Sequence, residues 1–231
     1  MEKQQRLKAP LIIINFKNYP EIFGKNAVKL ARIAEKVANE TKVNVAVSPP
    51  QASIAVVSQS VEIPVLCQHL DEAPAGAATG FFIPEMAKSF GASGSLLNHS
   101  EHRLSQKSVT QLITRLRKLQ MTSVVCAQTP REVGLIAKFD PDYVAIEPPE
   151  LIGSGKAVSK QKPSVITRSV TAKSRYDNST RLICGAGITN KSDVSIASRL
   201  GAEGVLVASS IVKAGSWRDR IHELAMGFRE A

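Results

Sequence analysis

Three residues with complementary chemistry stand at the ends of short apolar runs: Lys17 after Leu11–Phe16, His99 within the stretch after Ser95–Asn98, and Glu147 after Tyr143–Ile146. An ammonium, an imidazole and a carboxylate are the parts needed to take a proton from carbon and stabilise the oxyanion that forms. Glu147 can act as the base if burial makes its carboxylate basic enough. His99 can donate a hydrogen bond to a carbonyl or enediolate oxygen when its imidazole is neutral. It precedes Ser100 at an expected helix start, and the positive end of that helix would favour the neutral form. Lys17 brings a full positive charge to an anion. The other run ends are small: Gly185-Ala186-Gly187-Ile188 and Ala208-Ser209-Ser210. Small residues let backbone N–H groups approach an oxyanion, and the N-terminus of a following helix favours phosphate. Taken singly, each feature also reads as a solvated lysine, a structural histidine, a surface carboxylate or a tight turn. Their weight comes from falling at one face of the expected fold.

The stretch after Glu147 runs Pro148-Pro149-Glu150-Leu151-Ile152-Gly153-Ser154-Gly155-Lys156. Paired prolines stiffen its entry and the Gly-Ser-Gly centre is free to move. That combination is expected of a lid that closes over substrate and excludes water. The likeness to a nucleotide P-loop is superficial. Glu150 stands where the first glycine is required, and Ala157 follows Lys156 where Ser or Thr is required.

The elements that must position these groups are eight short runs, each apolar at consecutive positions. They are Leu11–Phe16, Val43–Val47, Pro64–Cys67, Ser95–Asn98, Ser123–Ala127, Tyr143–Ile146, Leu182–Cys184 and Val205–Ala208. Runs without polar alternation read as strands buried on both faces. Helical spacing fills the intervals: Ala27, Leu30, Ala31, Ala34, Val37 and Ala38, then Val109, Leu112, Ile113, Leu116 and Leu119. Val194, Ala197 and Leu200 repeat it, with Gly201 as the expected C-terminal cap, and Ser216 reads as an N-cap before Trp217–Phe228. Eight strand–helix units in 231 residues predict an α/β fold: a single (β/α)₈ barrel domain over residues 1–231, with its chemistry at the C-terminal ends of the strands.

Composition agrees. Hydrophobic residues are 43% and charged residues 22%, as in a folded globular chain, while aromatics at 5% leave the core to Val, Ile, Leu and Ala. No apolar run reaches the roughly 20 residues of a membrane span, and the opening MEKQQRLKAP holds no apolar signal core. Cys67, Cys126 and Cys184 are odd in number and far apart, which argues against a disulfide framework or a zinc site and for a reducing cytoplasm. The net charge of +10 is spread along the chain without a dense basic block, so it reads first as a solvated surface.

The chain resembles the triosephosphate isomerase family. The resemblance lies in NFKNY at Asn15–Tyr19, LLNHSEHR at Leu96–Arg103, AIEPPELIGSGKAVSK at Ala145–Lys160, CGAGI at Cys184–Ile188 and GVLVASS at Gly204–Ser210, in the family's order across essentially the whole chain. The EPPELIG lid and short helices look like the compact archaeal type. The resemblance implies interconversion of dihydroxyacetone phosphate and D-glyceraldehyde 3-phosphate, in glycolysis and gluconeogenesis, without metal or organic cofactor. It implies Glu147 as proton acceptor, His99 as electrophile, and Lys17 stabilising phosphate and oxyanion. Asn15, Ile152, Gly187, Ala208 and Ser209 would contact substrate, and Glu101 would pair with Lys17. A homotetramer is expected in preference to a dimer, with no nucleic-acid or membrane partner.

Two departures stand out. The family usually has glycine where Ser210 stands, so a required positive φ there would be strained. The loop Gly76–Gly80 lacks the polar residue often seen before its Thr-Gly pair, which loosens the expectation for subunit contacts. Two other readings remain: a phosphate-binding barrel acting on a different small phosphorylated metabolite, and a basic nucleic-acid module, for which no recognition motif is present.

Overall fold

The computed structural model describes residues 7–151, 155–176 and 179–230. Its strands are β1 (Leu11–Asn15), β2 (Asn44–Ser48), β3 (Leu66–Cys67), β4 (Gly94–Leu97), β5 (Thr122–Ala127), β6 (Tyr143–Ile146), β7 (Arg181–Cys184) and β8 (Gly204–Val207). All pair in parallel, in the order β2-β1-β8-β7-β6-β5-β4-β3. Between β2 and β3 the ring is joined more thinly, by a single Val47–Val65 bridge and a hydrogen bond from Val47 N–H to Pro64 O of 3.0 Å. This is the expected (β/α)₈ barrel. Each anticipated strand lies within two residues of its observed bounds. The largest trim is in β3, whose expected start at Pro64 has no N–H to give to a ladder.

The helices are α1 (Lys25–Thr41), α2 (Ile54–Ser58), α3 (Pro84–Ser89), α4 (Gln106–Lys118), α5 (Pro130–Ala137), α6 (Val158–Gln161), α7 (Pro163–Lys173), α8 (Lys191–Arg199), α9 (Ser209–Val212) and α10 (Trp217–Gly227). Their apolar stripes face the sheet: Ala27, Leu30, Ala31, Ala34 and Val37 are buried in α1, and Val109, Leu112, Ile113 and Leu116 in α4. Ser216 Oγ accepts the Asp219 N–H at 3.3 Å and caps α10. Gly201 follows α8 at φ 98°, the left-handed geometry expected of a C-terminal cap.

Two apolar layers explain why the strands read as unbroken hydrophobic runs. Leu11, Ile13, Ala46, Leu66, Leu96, Val124, Tyr143, Ala145, Ile183 and Leu206 pack together inside the barrel. Their neighbours Ile12, Ile14, Val45, Val47, Leu97, Val125, Val144 and Leu182 pack outward against the helices. The inward alternation carries function at the top. Leu11 and Ile13 are followed by Asn15, and Tyr143 and Ala145 by Glu147, so the pleat that fills the core also aims these polar groups at the mouth.

Candidate active site

The mouth at the C-terminal ends of the strands is lined by Asn15, Lys17, Tyr19, His99, Glu147, Gly185, Gly187, Thr189, Ala208, Ser209 and Ser210, among others. Lys17 leaves β1 with a left-handed backbone, φ 48°, which costs a non-glycine residue on the order of 1 kcal/mol. Hydrogen bonds hold it there. Lys17 N–H donates to Asn15 Oδ1 at 2.9 Å, and Gln68 Nε2 donates to Lys17 O at 3.1 Å and to Ser48 O at 3.1 Å. The side chain reaches across to β4, where Nζ lies 2.6 Å from Glu101 Oε1.

His99 owes its place to Asn98. Asn98 adopts φ 59° and sends its side chain to Cys126 O (2.9 Å) and Glu132 Oε1 (3.3 Å), while its Oδ1 accepts Leu104 N–H at 3.0 Å. That left-handed step ends the pleat of β4 and turns His99 into the mouth. The expected helix start at Ser100 is not there. His99 to His102 form a turn closed by His102 N–H to His99 O at 2.8 Å, and α4 begins at Gln106 behind the N-cap Ser105. Neutrality therefore has other causes than a helix terminus. Burial first, and then the Lys17 charge, lower the imidazole from its usual value to about 4, with Glu101 opposing. The Glu101 N–H donates to His99 Nδ1 at 3.2 Å, so in the neutral ring Nε2 carries the proton. Nε2 is the nitrogen that faces Glu147, at 3.8 Å from Oε2.

Glu147 is 3% exposed. Its N–H extends the β5–β6 ladder to Ala127 O at 2.8 Å, fixing the backbone, and among the described residues Oε2 has no hydrogen-bond partner. Burial raises the carboxyl to about 7, while a hydrogen bond with Cys126 and the Lys17 charge pull it down and Glu101 pushes it up. A buried carboxylate whose charged form is penalised is a stronger base than one in water, as proton abstraction from carbon requires.

The far wall is backbone. Gly187 takes φ 69° and lies so close to the Lys156 carbonyl that no Cβ fits, so this turn requires glycine. Gly185 lies against Glu147, and a Cβ there would be 2.5 Å from Glu147 Cγ. Ser209 and Ser210 open α9, and first-turn amides have no carbonyl one turn back to bond. Ser210 sits inside that turn and is absent from the positive-φ positions, so serine is accommodated without strain. These amides and Lys17 face the same space and together make it attractive to a phosphate.

Of the residues expected from sequence, the structure gathers Asn15, Lys17, His99, Glu147, Gly187, Ala208 and Ser209 around one pocket, with Glu101 behind Lys17. Ile152 lies outside the described residues, as do Gly153 and Ser154 of the expected lid. Tyr19, Thr189 and Cys126 also belong to the site without standing out in the sequence. Tyr19 and Thr189 sit inside or beside the motifs quoted above, and Cys126 lies within the apolar run Ser123–Ala127 with nothing in its neighbours to mark it.

No described helix is long and apolar enough to cross a membrane. The chain matches the triosephosphate isomerase family over residues 10–224. It is 46% identical to the triosephosphate isomerase of Caldivirga maquilingensis over 219 residues, covering 95% of this chain and 97% of that protein. With the enzyme of that name from Methanothermobacter thermautotrophicus the identity is 45% over 224 residues, covering 97% and 98%. With that from Archaeoglobus fulgidus it is 45% over 217 residues, covering 94% and 97%.

Proposed function

The chain belongs to the triosephosphate isomerase family, and from that premise we infer that it interconverts dihydroxyacetone phosphate and D-glyceraldehyde 3-phosphate at the mouth of its barrel. Glu147 takes a proton from the carbon beside the carbonyl, and the C–H electron pair moves onto the carbonyl oxygen to give an enediolate. His99 donates from Nε2 to the two oxygens in turn, moving a proton from one to the other. Lys17 balances the developing negative charge and the phosphate. Glu147 returns its proton to the neighbouring carbon, so atoms and electrons are conserved and no external oxidant or reductant enters. Asn15, Gly187, Ala208 and Ser209 hold the substrate, Ile152 joins them from the lid, and Glu101 orients Lys17. Each proton transfer is assigned to a side chain of this protein, so the scheme calls on no metal or organic cofactor.

The observation that carries this reading is Glu147 itself: buried, raised to about 7, with Oε2 3.8 Å from Nε2 of a neutral imidazole. A carboxylate poised near neutrality is matched to abstracting and returning a proton. A coupled isomerase assay on the wild type and Glu147→Gln tests it. Loss of turnover by about a thousandfold or more is expected, and equal rates refute the assignment. A titration with 2-phosphoglycolate separates this chemistry from another phosphate-binding barrel, because only a site built for the enediolate binds that mimic tightly.

We place the working enzyme in the cytoplasm, in the glycolytic and gluconeogenic direction its substrates serve, as a single domain over residues 1–231 assembled into a homotetramer. The three cysteines are free and buried, as suits a reducing compartment. Phe81, Met86 and Phe90, close in sequence and 41–50% exposed, offer apolar surface for subunit contact. Light scattering on the eluting protein measures the assembly.

A further inference from the structure

The segment that leads into α6 is tied to the turn that follows β7. Val158 N–H donates to Ala186 O at 3.2 Å, and Gly187 packs on the Lys156 carbonyl. A third tie is electrostatic. Lys160 Nζ, on α6, lies 2.8 Å from Oδ1 of Asp193 at the start of α8. Asp193 is a buried carboxylate, its side chain 2% exposed, and its other oxygen is fully used. Oδ2 accepts from Thr189 N–H and Thr189 Oγ1, each at 2.9 Å, and from Asn190 N–H at 3.2 Å. Capping α8 needs only the bond to the Asn190 backbone. The two bonds to Thr189 reach further, into the turn whose Gly187 and Thr189 line the mouth. On its other side the Thr189 carbonyl accepts from Arg220 Nη1 at 2.6 Å. The turn is thus suspended between two cations, one acting directly and the other through a carboxylate.

We propose that Lys160 is a positioning residue for phosphate recognition, holding the backbone of residues 187–190 in place through Asp193. The proposal rests on reading the mouth as a triose phosphate site. Without the Lys160 charge two things change in the same direction. Asp193 keeps its three bonds through Oδ2 but loses the ion pair on Oδ1 that ties it to α6, so the turn it grips loses one of its anchors. It also keeps its negative charge, now uncompensated, beside amides that must receive a phosphate dianion. Neither change touches Glu147 or His99, so binding is weakened while the chemical step is spared.

The test uses the full chain with Lys160→Met, Lys160→Arg and the double variant Lys160→Met/Asp193→Asn. It measures kcat, KM, the Kd of 2-phosphoglycolate and the unfolding temperature. Lys160→Met should raise KM and Kd together by roughly tenfold, the scale of one charge-assisted hydrogen bond, with kcat within about twofold of wild type. Arginine should restore most of the loss. Adding Asp193→Asn should recover part of it, because the uncompensated charge is gone. Unchanged KM and Kd in Lys160→Met overturn the proposal, whatever happens to the unfolding temperature. So does a fall in kcat at constant KM. A wild type that neither turns over nor binds the mimic would refute the underlying reading, and that failure is visible before any substitution is made.

Discussion

Replacing Glu147 by glutamine should abolish turnover and yet make the folded protein more stable in alkaline solution. The carboxyl rises from 4.5 in the open chain to about 7 in the fold because burial penalises its charged form. The folded state therefore holds this proton more tightly than the unfolded state. Below pH 4.5 both states are protonated and nothing is lost. As pH rises towards 7 the unfolded chain gives up its proton first, and the fold pays a growing penalty that levels off above 7. By linkage the penalty is under about 1 kcal/mol at pH 5 and about 3 kcal/mol at pH 8. Glutamine has nearly the same shape and never ionises, so its stability relative to wild type should grow by about 2.5 kcal/mol between those pH values. Urea unfolding of both proteins at pH 5 and pH 8, at one protein concentration, reads this difference directly, and the titrations of distant groups cancel between the two chains. A difference that stays flat with pH would show that Glu147 ionises as it does in water. The physical ground for calling it a poised base would then be gone.

Three further outcomes follow from the same geometry. Gly185→Ala should fold but lose about a hundredfold in kcat, since its Cβ would arrive 2.7 Å from Glu147 Oε1 and push the base aside; steady-state kinetics beside a circular dichroism melt would show it, and unchanged kcat would refute the contact. Lys17 lowers the pKa of Glu147, so in Lys17→Met the acid limb of the residual kcat/KM should move from near pH 7 to higher pH; an unmoved limb would mean that the two charges do not interact. Ser210→Gly should change KM by less than about twofold, because Ser210 already occupies an ordinary helical turn. A large gain in affinity there would reveal a cost of serine that the backbone does not show.

The strands were readable because burial on both faces leaves no room for polar alternation, so runs such as Leu11-Ile12-Ile13-Ile14 announce themselves. Helix stripes and the Ser216 cap were readable for the equally local reason that periodicity and capping involve residues a turn apart. What escaped was set by neighbours distant in sequence or by single backbone steps. Ser100 looked like a helix start, but Glu101 is drawn to Lys17 and Asn98 turns left-handed, so the chain makes a separate turn before Ser105 caps α4. The imidazole is neutral without a helix terminus, because burial and the Lys17 charge supply the cause. The left-handed φ of Lys17 has no local marker, as lysine does not favour it and bonds with Asn15 and with the distant Gln68 sustain it. Nothing short of the fold could pair Lys160 with Asp193, since α7, β7 and the turn between them carry no trace of the match.

In the ring, β1 lies beside β8, with Leu11 opposite Gly204 and Ile14 opposite Val207. During synthesis this means that Lys17 leaves the ribosome long before Ser209 emerges to complete the wall of the mouth. Until then β1 has a partner on only one edge, and its other edge stays open to any passing strand. The nascent chain can gather most of its hydrophobic layers, yet it has no competent pocket. The mouth is completed in one late step, and a chain released before β8 would hold Glu147, His99 and the Gly187 turn and still lack the wall formed by Ala208, Ser209 and Ser210.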